Sequence, residues 1–292
     1  MDSRHKINFY QDRNFGDIIT VTFDFIAQNI QIILRLLLRV AMPLLVLGFI
    51  ITGLSFYQIV AHNGGISRGW MSFVGILIFI AGMFLYYFSI MYMMLEYDRV
   101  EHPDQIDLSR IWHNTLKHLK RFLGVSILTA LIITFSYLFF ILPGIILYVF
   151  FSMVYQVIVF EDAKASQALS RSFGIVGGNW WRTFFLTLIL ILIQILFNYL
   201  ADAPVYLAAM FGLIDFSGSI SAFNQNLPLY KWILYGIYFF IQYIILVILG
   251  IISVIGTTFL YFSIREQKEN AGLIREIEAI GTHSNEEDDY DY

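Results

Sequence analysis

Cysteine is absent from the sequence. Its absence excludes disulfide bonds, thiolate metal ligands and cysteine nucleophiles, and it leaves the redox compartment open. Charged residues are also scarce, at 14% of 292 residues, whereas soluble domains contain about a quarter. The net charge of −4 comes largely from the final residues, NEEDDYDY, so the rest of the chain is nearly balanced. A balanced chain gives no support to nucleic-acid binding.

Hydrophobic residues dominate instead: they make up 58% of the chain, and the mean hydropathy is +0.70. A helix needs roughly 20 apolar residues to cross a bilayer core of about 30 Å. Five runs reach that length, namely Val40–Val60, Trp70–Leu95, Phe122–Phe160, Trp181–Leu200 and Leu229–Phe262. The third run is too long for one span and contains Leu142-Pro143-Gly144, which predicts a turn between two helices. We therefore predict six transmembrane helices.

The distribution of lysine and arginine predicts the orientation of these helices. Positive residues near the ends of spans are retained on the cytoplasmic side of a membrane. With six spans, sixteen of the 18 lysines and arginines fall on one side, and only Arg68 and Lys231 fall on the other. This bias predicts a multi-pass protein in the cytoplasmic (inner) membrane of a bacterium, with both termini in the cytoplasm.

The segments that lead into the first, third and fifth spans resemble one another. They read FDFIAQNIQIILRLLL, WHNTLKHLKRFLGVSIL and FGIVGGNWWRTFFLTLIL, and in each an aromatic residue precedes a polar one by six positions. We interpret them as parts of pseudo-repeats over residues 15–97, 104–162 and 163–265, with chance similarity between amphipathic segments as the alternative. Each repeat would contain a surface helix and two spans.

The predicted fold is an all-α polytopic membrane protein. Its six transmembrane helices form three hairpins, and a cytoplasmic amphipathic surface helix precedes each hairpin. Residues 1–265 are predicted to form a single integral membrane domain. Residues 266–292 are predicted to form a cytoplasmic tail that is acidic and disordered at its end, because that end has little apolar surface to bury.

The predicted surface helices contain candidate membrane anchors. In the second, apolar residues recur at steps of three and four, while Arg110, Lys117 and Arg121 occupy another face. A basic amphipathic helix of this kind suits a membrane surface with anionic headgroups; docking onto the end of the helix bundle is the alternative. We therefore predict membrane lipids on the cytoplasmic side as partners, and the sequence identifies no protein partner.

The stretch SRSFGIVGGNWWRTFF, residues 170–185, contains three glycines, two tryptophans and an arginine. It lacks the lysine that follows the glycines of a phosphate-binding P-loop, and no strand precedes it as in a dinucleotide site. Its glycines predict the end of the third surface helix. Trp180 and Trp181 fit the headgroup region, and Arg182 is predicted to extend to the membrane surface as an anchor.

The longer segment FEDAKASQALSRSFGIVGGNWWRTF, residues 160–184, resembles the membrane domain attached to some glycerophosphoryl diester phosphodiesterases. The matching positions are Glu161, Ala168, Leu169, Arg171, Ser172, Phe173, Gly178, Trp181 and Arg182. The resemblance implies an integral membrane module of unassigned biochemical role, and it brings no catalytic residues. The phosphodiesterase activity of such enzymes lies in a soluble barrel of about 250 residues, for which this sequence has no counterpart.

Polar residues within the predicted spans are few. Gln194, Asn198 and Asp202 are four residues apart and share one helix face, and Gln242 lies at a comparable depth in the last span. They are candidates for a polar cavity open to the outside; hydrogen bonding between helices is the alternative. No nucleophile motif, metal-ligand cluster or paired carboxylates appear in a span, so we expect no enzyme, no metal and no cofactor.

Three function classes remain open. The first is a non-enzymatic membrane module that binds lipid or a partner protein. The second is a small transporter or permease with an outward-facing polar cavity. The third is an intramembrane enzyme, which the lack of a catalytic constellation disfavours.

Overall fold

The computed structural model describes residues 6–61, 69–100, 105–211 and 229–270, and these residues form helices without any strand. The helices are α1 (Phe15–Leu36), α2 (Met42–Ala61), α3 (Gly69–Arg99), α4 (Leu108–Phe139), α5 (Ile141–Phe151), α6 (Val154–Phe160), α7 (Ala165–Val176), α8 (Trp180–Met210) and α9 (Leu229–Glu269). The predicted all-α fold is therefore confirmed for this part of the chain.

Six helical segments are long and apolar enough to cross a membrane. They cover Phe15–Ser55, Trp70–Arg99, Leu108–Phe139, Ile141–Phe160, Trp180–Pro204 and Gly236–Glu269. Their lengths and compositions are those of a multi-pass membrane protein. Neighbouring spans pack in the pairs α2 with α3, α4 with α5, and α8 with α9. The predicted tail after residue 265 begins inside α9, and its acidic end lies outside the described residues.

The first two predicted surface helices are continuous with the spans that follow them. α1 passes through a π-helical turn, Leu37–Ala41, directly into α2. α4 contains 32 residues, or about 48 Å at 1.5 Å per residue, which exceeds the hydrocarbon core of about 30 Å. The third is a separate helix, because α7 ends at Val176 and the turn before α8 contains Gly178, whose φ is 85°.

The turn between α4 and α5 does not lie at Leu142-Pro143-Gly144, as the sequence analysis predicted. It lies at Phe140, whose extended backbone separates the two helices. Pro143 occupies the first turn of α5, where the amide that proline lacks would have no partner within the helix. Gly144 allows the two helices to approach, because a Cβ there would lie 2.5 Å from a ring carbon of Tyr137.

The fourth span is interrupted in the middle. α5 ends at Phe151 and α6 begins at Val154. Two hydroxyls bind carbonyl groups next to the break: Ser152 Oγ donates to the Val149 carbonyl at 2.8 Å, and Ser172 Oγ donates to the Phe150 carbonyl at 2.6 Å. In a continuous helix, backbone amides would bind these carbonyl groups. At the break the two hydroxyls bind them.

α1 packs one face against α3 and α9. It starts with a capping box, in which Asn14 accepts a hydrogen bond from the Asp17 amide at 2.9 Å and Asp17 accepts one from the Asn14 amide. Its buried residues recur at steps of three and four, as expected for one helix face: Ile18, Thr22, Phe25, Asn29, Ile33 and Leu36. This face belongs to the hydrophobic core, so α1 docks onto the bundle along that side.

Candidate functional site

The four residues of the predicted polar cavity lie at the interface of α8 and α9. Gln194 Nε2 donates a hydrogen bond to Ser253 Oγ, and Tyr238 on α9 donates to Asp202 Oδ1 at 2.9 Å. Gln242 Nε2 donates to the Ala201 carbonyl at 3.4 Å. Asn198 Nδ2 bonds within α8, to the Gln194 carbonyl at 2.9 Å. The contacts across the interface have the geometry of the interhelical alternative.

The polar residues continue further into the bundle than the sequence analysis predicted. Thr257 Oγ1 donates to the Ser253 carbonyl at 2.7 Å and accepts from Gln156 Nε2 at 2.9 Å. We call this series, which joins α6, α9 and α8, the polar track: Gln156, Thr257, Ser253, Gln194 and Asn198. It ends at Gln156, which is 1% exposed and whose Oε1 has no hydrogen-bond partner among the described residues.

Gln156 is a member of the polar track that the sequence predictions did not include. It is the one amide in residues 141–160. A single amide in an apolar span is a usable signal, because such a side chain requires a partner from another helix. The partner is Thr257, which lies 101 positions away in the sequence. At that separation the sequence alone does not show which residue the amide binds.

Two of the three candidate anchors on α4, Arg110 and Arg121, form ion pairs, and Arg110 is exposed as well. Arg110 Nη1 binds Glu96 Oε1 at 2.6 Å, and Glu96 is buried at the end of α3. Arg121 Nη1 binds Asp162 Oδ1 at 2.5 Å. Lys117 is exposed, as is its neighbour Lys120. The first half of α4 therefore both docks onto the bundle and presents positive charge outward.

Exposed apolar side chains lie on the same half of α4. Trp112, Leu116 and Leu123 are exposed, with spacings that place them along one side of the helix. We call these residues, together with Lys117 and Lys120, the basic stripe. Exposed apolar residues continue along α4 with Ile127, Leu128, Leu131, Phe135 and Leu138, so the basic stripe is continuous with the lipid-facing part of the span.

Asp162 connects α4 to the turn before α7. The hydrogen bond from Arg121 lowers the pKa of Asp162, and the positive field of His118 and Lys117 acts in the same direction. The His118 ring accepts or donates a bond to Tyr92 at 2.7 Å. Asp162 is therefore held ionised in a positive environment, although its side chain is largely exposed.

The residues Trp180, Trp181 and Arg182 have different environments. Trp181 is exposed, while Trp180 stacks on Phe184 with a ring-centroid distance of 5.2 Å. Arg182 binds the chain itself. Its guanidinium donates to Asp12 Oδ1 at 3.0 Å, to Ser263 Oγ at 2.9 Å and to Gln267 Oε1 at 3.0 Å.

A charge cluster joins the turn after α6 to α7 and α9. Arg171 Nε binds Glu161 Oε2 at 3.0 Å, and Arg171 Nη2 binds Glu269 Oε1 at 2.5 Å. Arg265 Nε binds Glu269 Oε2 at 3.1 Å, and the Tyr261 hydroxyl donates to Glu161 Oε1 at 2.9 Å. This cluster could not be predicted from the sequence, because it joins stretches about 100 positions apart.

Lys268 closes the carboxyl end of α7. Its Nζ donates to the carbonyls of Gly174, Ile175 and Gly177, at 3.0, 2.9 and 2.5 Å. A cation there is favourable because the last carbonyls of a helix lack partners and carry partial negative charge. The glycine-rich stretch is thus a helix end tied to α9, and it binds its own chain through a lysine.

The described residues include no group of three or more His, Asp or Glu side chains placed to hold a metal ion. Within that part of the chain, the chemistry the arrangement can perform is binding: amide and hydroxyl groups along the polar track, and cations next to apolar side chains at the basic stripe. No nucleophile with an adjacent base is among the interactions described above.

A family model described as a domain of unknown function (DUF7847) matches residues 117–263. The match covers just over half of the chain's 292 residues. The chain belongs to this family. The DUF7847 region contains the whole polar track and most of α4, but not α1 or the residues before it. No curated protein and no solved structure matches the chain.

Proposed function

We propose that this protein is a non-enzymatic module of a bacterial cytoplasmic membrane that binds anionic lipid headgroups through the basic stripe of α4. The observation that carries the proposal is the continuity of that stripe with the apolar side of the span. Trp112, Leu116 and Leu123 are exposed next to Lys117 and Lys120 on the same helix. Apolar and cationic groups side by side match the boundary between acyl chains and headgroups.

The length of α4 supports this placement. The whole of α4, Leu108–Phe139, is a candidate span, but only about 20 of its 32 residues fit within a bilayer core. The amino-terminal turns, which contain Lys117 and Lys120, therefore extend to the headgroup level. Each lysine or arginine near an anionic surface contributes about 1 kcal/mol to binding. The bias of lysine and arginine described above favours the cytoplasmic side for this end.

The proposal is tested by replacing both lysines with glutamine, K117Q/K120Q. We expect the purified protein to bind phosphatidylglycerol up to about thirtyfold more weakly than the unchanged chain and to retain correspondingly less of it, because two charges of about 1 kcal/mol each are lost. Retained lipid is measured by native mass spectrometry after extraction from membranes of mixed lipid composition.

The matched control is K117R/K120R, which preserves both charges and should retain phosphatidylglycerol normally. Phosphatidylcholine, which has no net charge, should be retained equally by all three proteins. Equal retention of phosphatidylglycerol by the glutamine and arginine variants would show that the basic stripe does not bind headgroups.

A small transporter is the second candidate, and the interrupted fourth span favours it. Transporter sites are commonly built from broken helices near the middle of the bilayer. Here the break between α5 and α6 is followed by Gln156, whose buried Oε1 has no partner among the described residues. The polar track would then supply hydrogen-bonding groups to a small polar solute.

Transport predicts that proteoliposomes take up a small polar solute and that Q194L/Q242L abolishes the uptake. The physical reason is that both amides bind across the α8–α9 interface, Gln194 within the polar track and Gln242 beside it. Q31L is the matched control, since Gln31 is exposed on α1, and it should leave uptake unchanged. Uptake that survives Q194L/Q242L, or no uptake of any polar solute above empty liposomes, would remove this candidate.

The likeness of residues 160–184 to the membrane domain of some glycerophosphoryl diester phosphodiesterases stays a proposal. It agrees with a role at lipid headgroups, but the matching family description names no activity, substrate or partner. We propose no hydrolysis for this chain. Intramembrane catalysis has no supporting arrangement among the described residues.

A further inference from the structure

We propose that residues 6–14, the strap, occupy a binding site for an anionic amphiphile, and that this site opens when the strap lifts. The strap presents a buried aromatic side chain, Phe9, and a carboxylate, Asp12, to two different parts of the bundle. An acyl chain and an acidic headgroup would present the same two chemistries.

The apolar half of the site is a socket of four aromatic residues. Phe9 is 1% exposed and packs against Tyr97, Phe25, Phe259 and Phe262 at ring-centroid distances of 5.8, 6.0, 5.2 and 5.3 Å. The socket residues come from α1, α3 and α9, which the strap therefore connects. Without Phe9 these rings would form an uncovered apolar surface at the end of the bundle.

The charged half of the site is the guanidinium of Arg182 at the start of α8. It donates to Asp12 Oδ1 and also to the Arg13 carbonyl. Both bonds come from Nη2, so Asp12 is held through one of its oxygens. Charged hydrogen bonds of this kind are those by which arginine binds carboxylates and phosphates. An acidic headgroup can therefore take the place of the Asp12 carboxylate, while the Arg182 guanidinium keeps its position.

The strap contains no helix, and its attachment to the bundle is made by side chains: Lys6 and Tyr10 bind Asp98 on α3, and Arg182 and Ser263 bind Asp12. Its start is fixed at α3, where the Ile7 amide donates to the Tyr97 hydroxyl at 3.1 Å, and its end is fixed at α9, where the Arg13 amide donates to Ser263 Oγ at 2.9 Å. Segments with few backbone hydrogen bonds open at lower free energy than the helices they cover. The strap can thus lift while the bundle stays folded.

The chemical class of the ligand is inferred from the groups that line the site and from the surroundings of the bundle. Arg182 favours an acidic group, the aromatic socket favours hydrocarbon, and both lie at the end of membrane-spanning helices. A phospholipid with an anionic headgroup and a free fatty acid both satisfy these conditions. This inference does not depend on the basic stripe, and K117Q/K120Q should leave it unaffected.

The absence of cysteine allows the strap to be locked with one engineered disulfide. Ser263 Oγ lies 3.0 Å from Asp12 Oδ1, so the two side chains meet and D12C/S263C is the pair chosen for the disulfide. Binding of phosphatidylglycerol and of oleate is measured in detergent by native mass spectrometry, with the disulfide oxidised and then reduced. We expect no binding at this site in the oxidised protein and binding in the reduced protein.

Two further variants separate the socket from the guanidinium. Phe9→Ala removes the side chain that fills the socket, and we expect both probes to bind about tenfold more tightly than to the unchanged chain. Adding Arg182→Gln to Phe9→Ala should abolish that gain, because the acidic group then has no partner. Phe23→Ala, which shortens a partly exposed phenylalanine on α1, is the control and should bind as the unchanged chain does.

The two probes distinguish the sources of the ligand. Tighter binding of phosphatidylglycerol than of oleate identifies a lipid of the surrounding membrane, and the reverse order identifies a free fatty acid. Equal binding by the oxidised and reduced D12C/S263C protein, or no gain from Phe9→Ala, would overturn the inference. Because the disulfide is reversible in one sample, a folding defect cannot imitate the expected result.

Discussion

Replacing Gly75 with alanine is expected to destabilise the protein by about 3 kcal/mol, the upper end of the range for overpacked sites. α2 and α3 meet at Gly48 and Gly75. A Cβ on Gly75 would lie 2.7 Å from the Thr52 amide nitrogen and 2.8 Å from the Gly48 carbonyl oxygen. These atoms belong to the backbone, so no side-chain rotation relieves the overlap and the two helices must separate. Thermal unfolding in detergent, followed by size-exclusion chromatography, measures the loss.

The control for this prediction is Gly53→Ala on α2. A Cβ on Gly53 would meet no atom within 4 Å, and alanine is favoured over glycine in a helix by up to about 1 kcal/mol. We therefore expect Gly53→Ala to be neutral or slightly stabilising. If Gly75→Ala and Gly53→Ala unfold at the same temperature, the close contact between α2 and α3 does not stabilise the protein, and the prediction is wrong.

Glu161→Gln is expected to lower the free energy of unfolding by about 2 kcal/mol, between the values typical of exposed and of buried ion pairs. Glu161 accepts from Arg171 at 3.0 Å and from Tyr261 at 2.9 Å, and Arg265 lies 3.6 Å away. Its loss leaves the two arginines with Glu269 as their shared carboxylate in the charge cluster. The side chains are only partly exposed, so water compensates for part of the loss.

The neighbouring Asp162→Asn provides a matched control, because the same change is made at a carboxylate whose side chain is 75% exposed. We expect it to cost less than about 1 kcal/mol, the usual limit for an exposed pair. A double-mutant cycle of Glu161→Gln with Arg171→Gln then measures the coupling directly. A coupling near zero would mean that the charge cluster does not stabilise the attachment of α7 to α9.

The helices themselves could be predicted from the sequence because their cause is local. Each apolar run is long enough to cross a bilayer core, and a helix satisfies its backbone groups within its own segment. The end of α7 near Gly177 and Gly178 was likewise predictable, since glycine adopts a left-handed conformation without strain. The position of the turn at Phe140 could not be predicted, because proline is accepted in the first turn of a helix as well as in a loop, and Pro143 therefore fits both.

The sequence indicated that polar side chains in the spans can form hydrogen bonds between helices, but it did not predict which residues they bind. The spacing of Gln194, Asn198 and Asp202 placed them on one face of α8, and the structure sets that face against α9. The role of Arg182 shows the limit of such reasoning. An arginine beside two tryptophans at the start of a span fits a lipid anchor, yet its nearest carboxylate is Asp12, 170 positions away.

Sequence alone determined that this chain has six segments long and apolar enough to cross a membrane, with little charge inside them, since hydrophobicity and length are properties of each segment. Only the tertiary structure decided that the fourth span is interrupted just before Gln156, that Glu161 joins Arg171 to α9, and that Phe9 fills an aromatic socket. The physical reason is that these contacts join residues far apart in sequence, and a short-range hydrogen bond or ring contact forms only where the folded helices bring its two partners together.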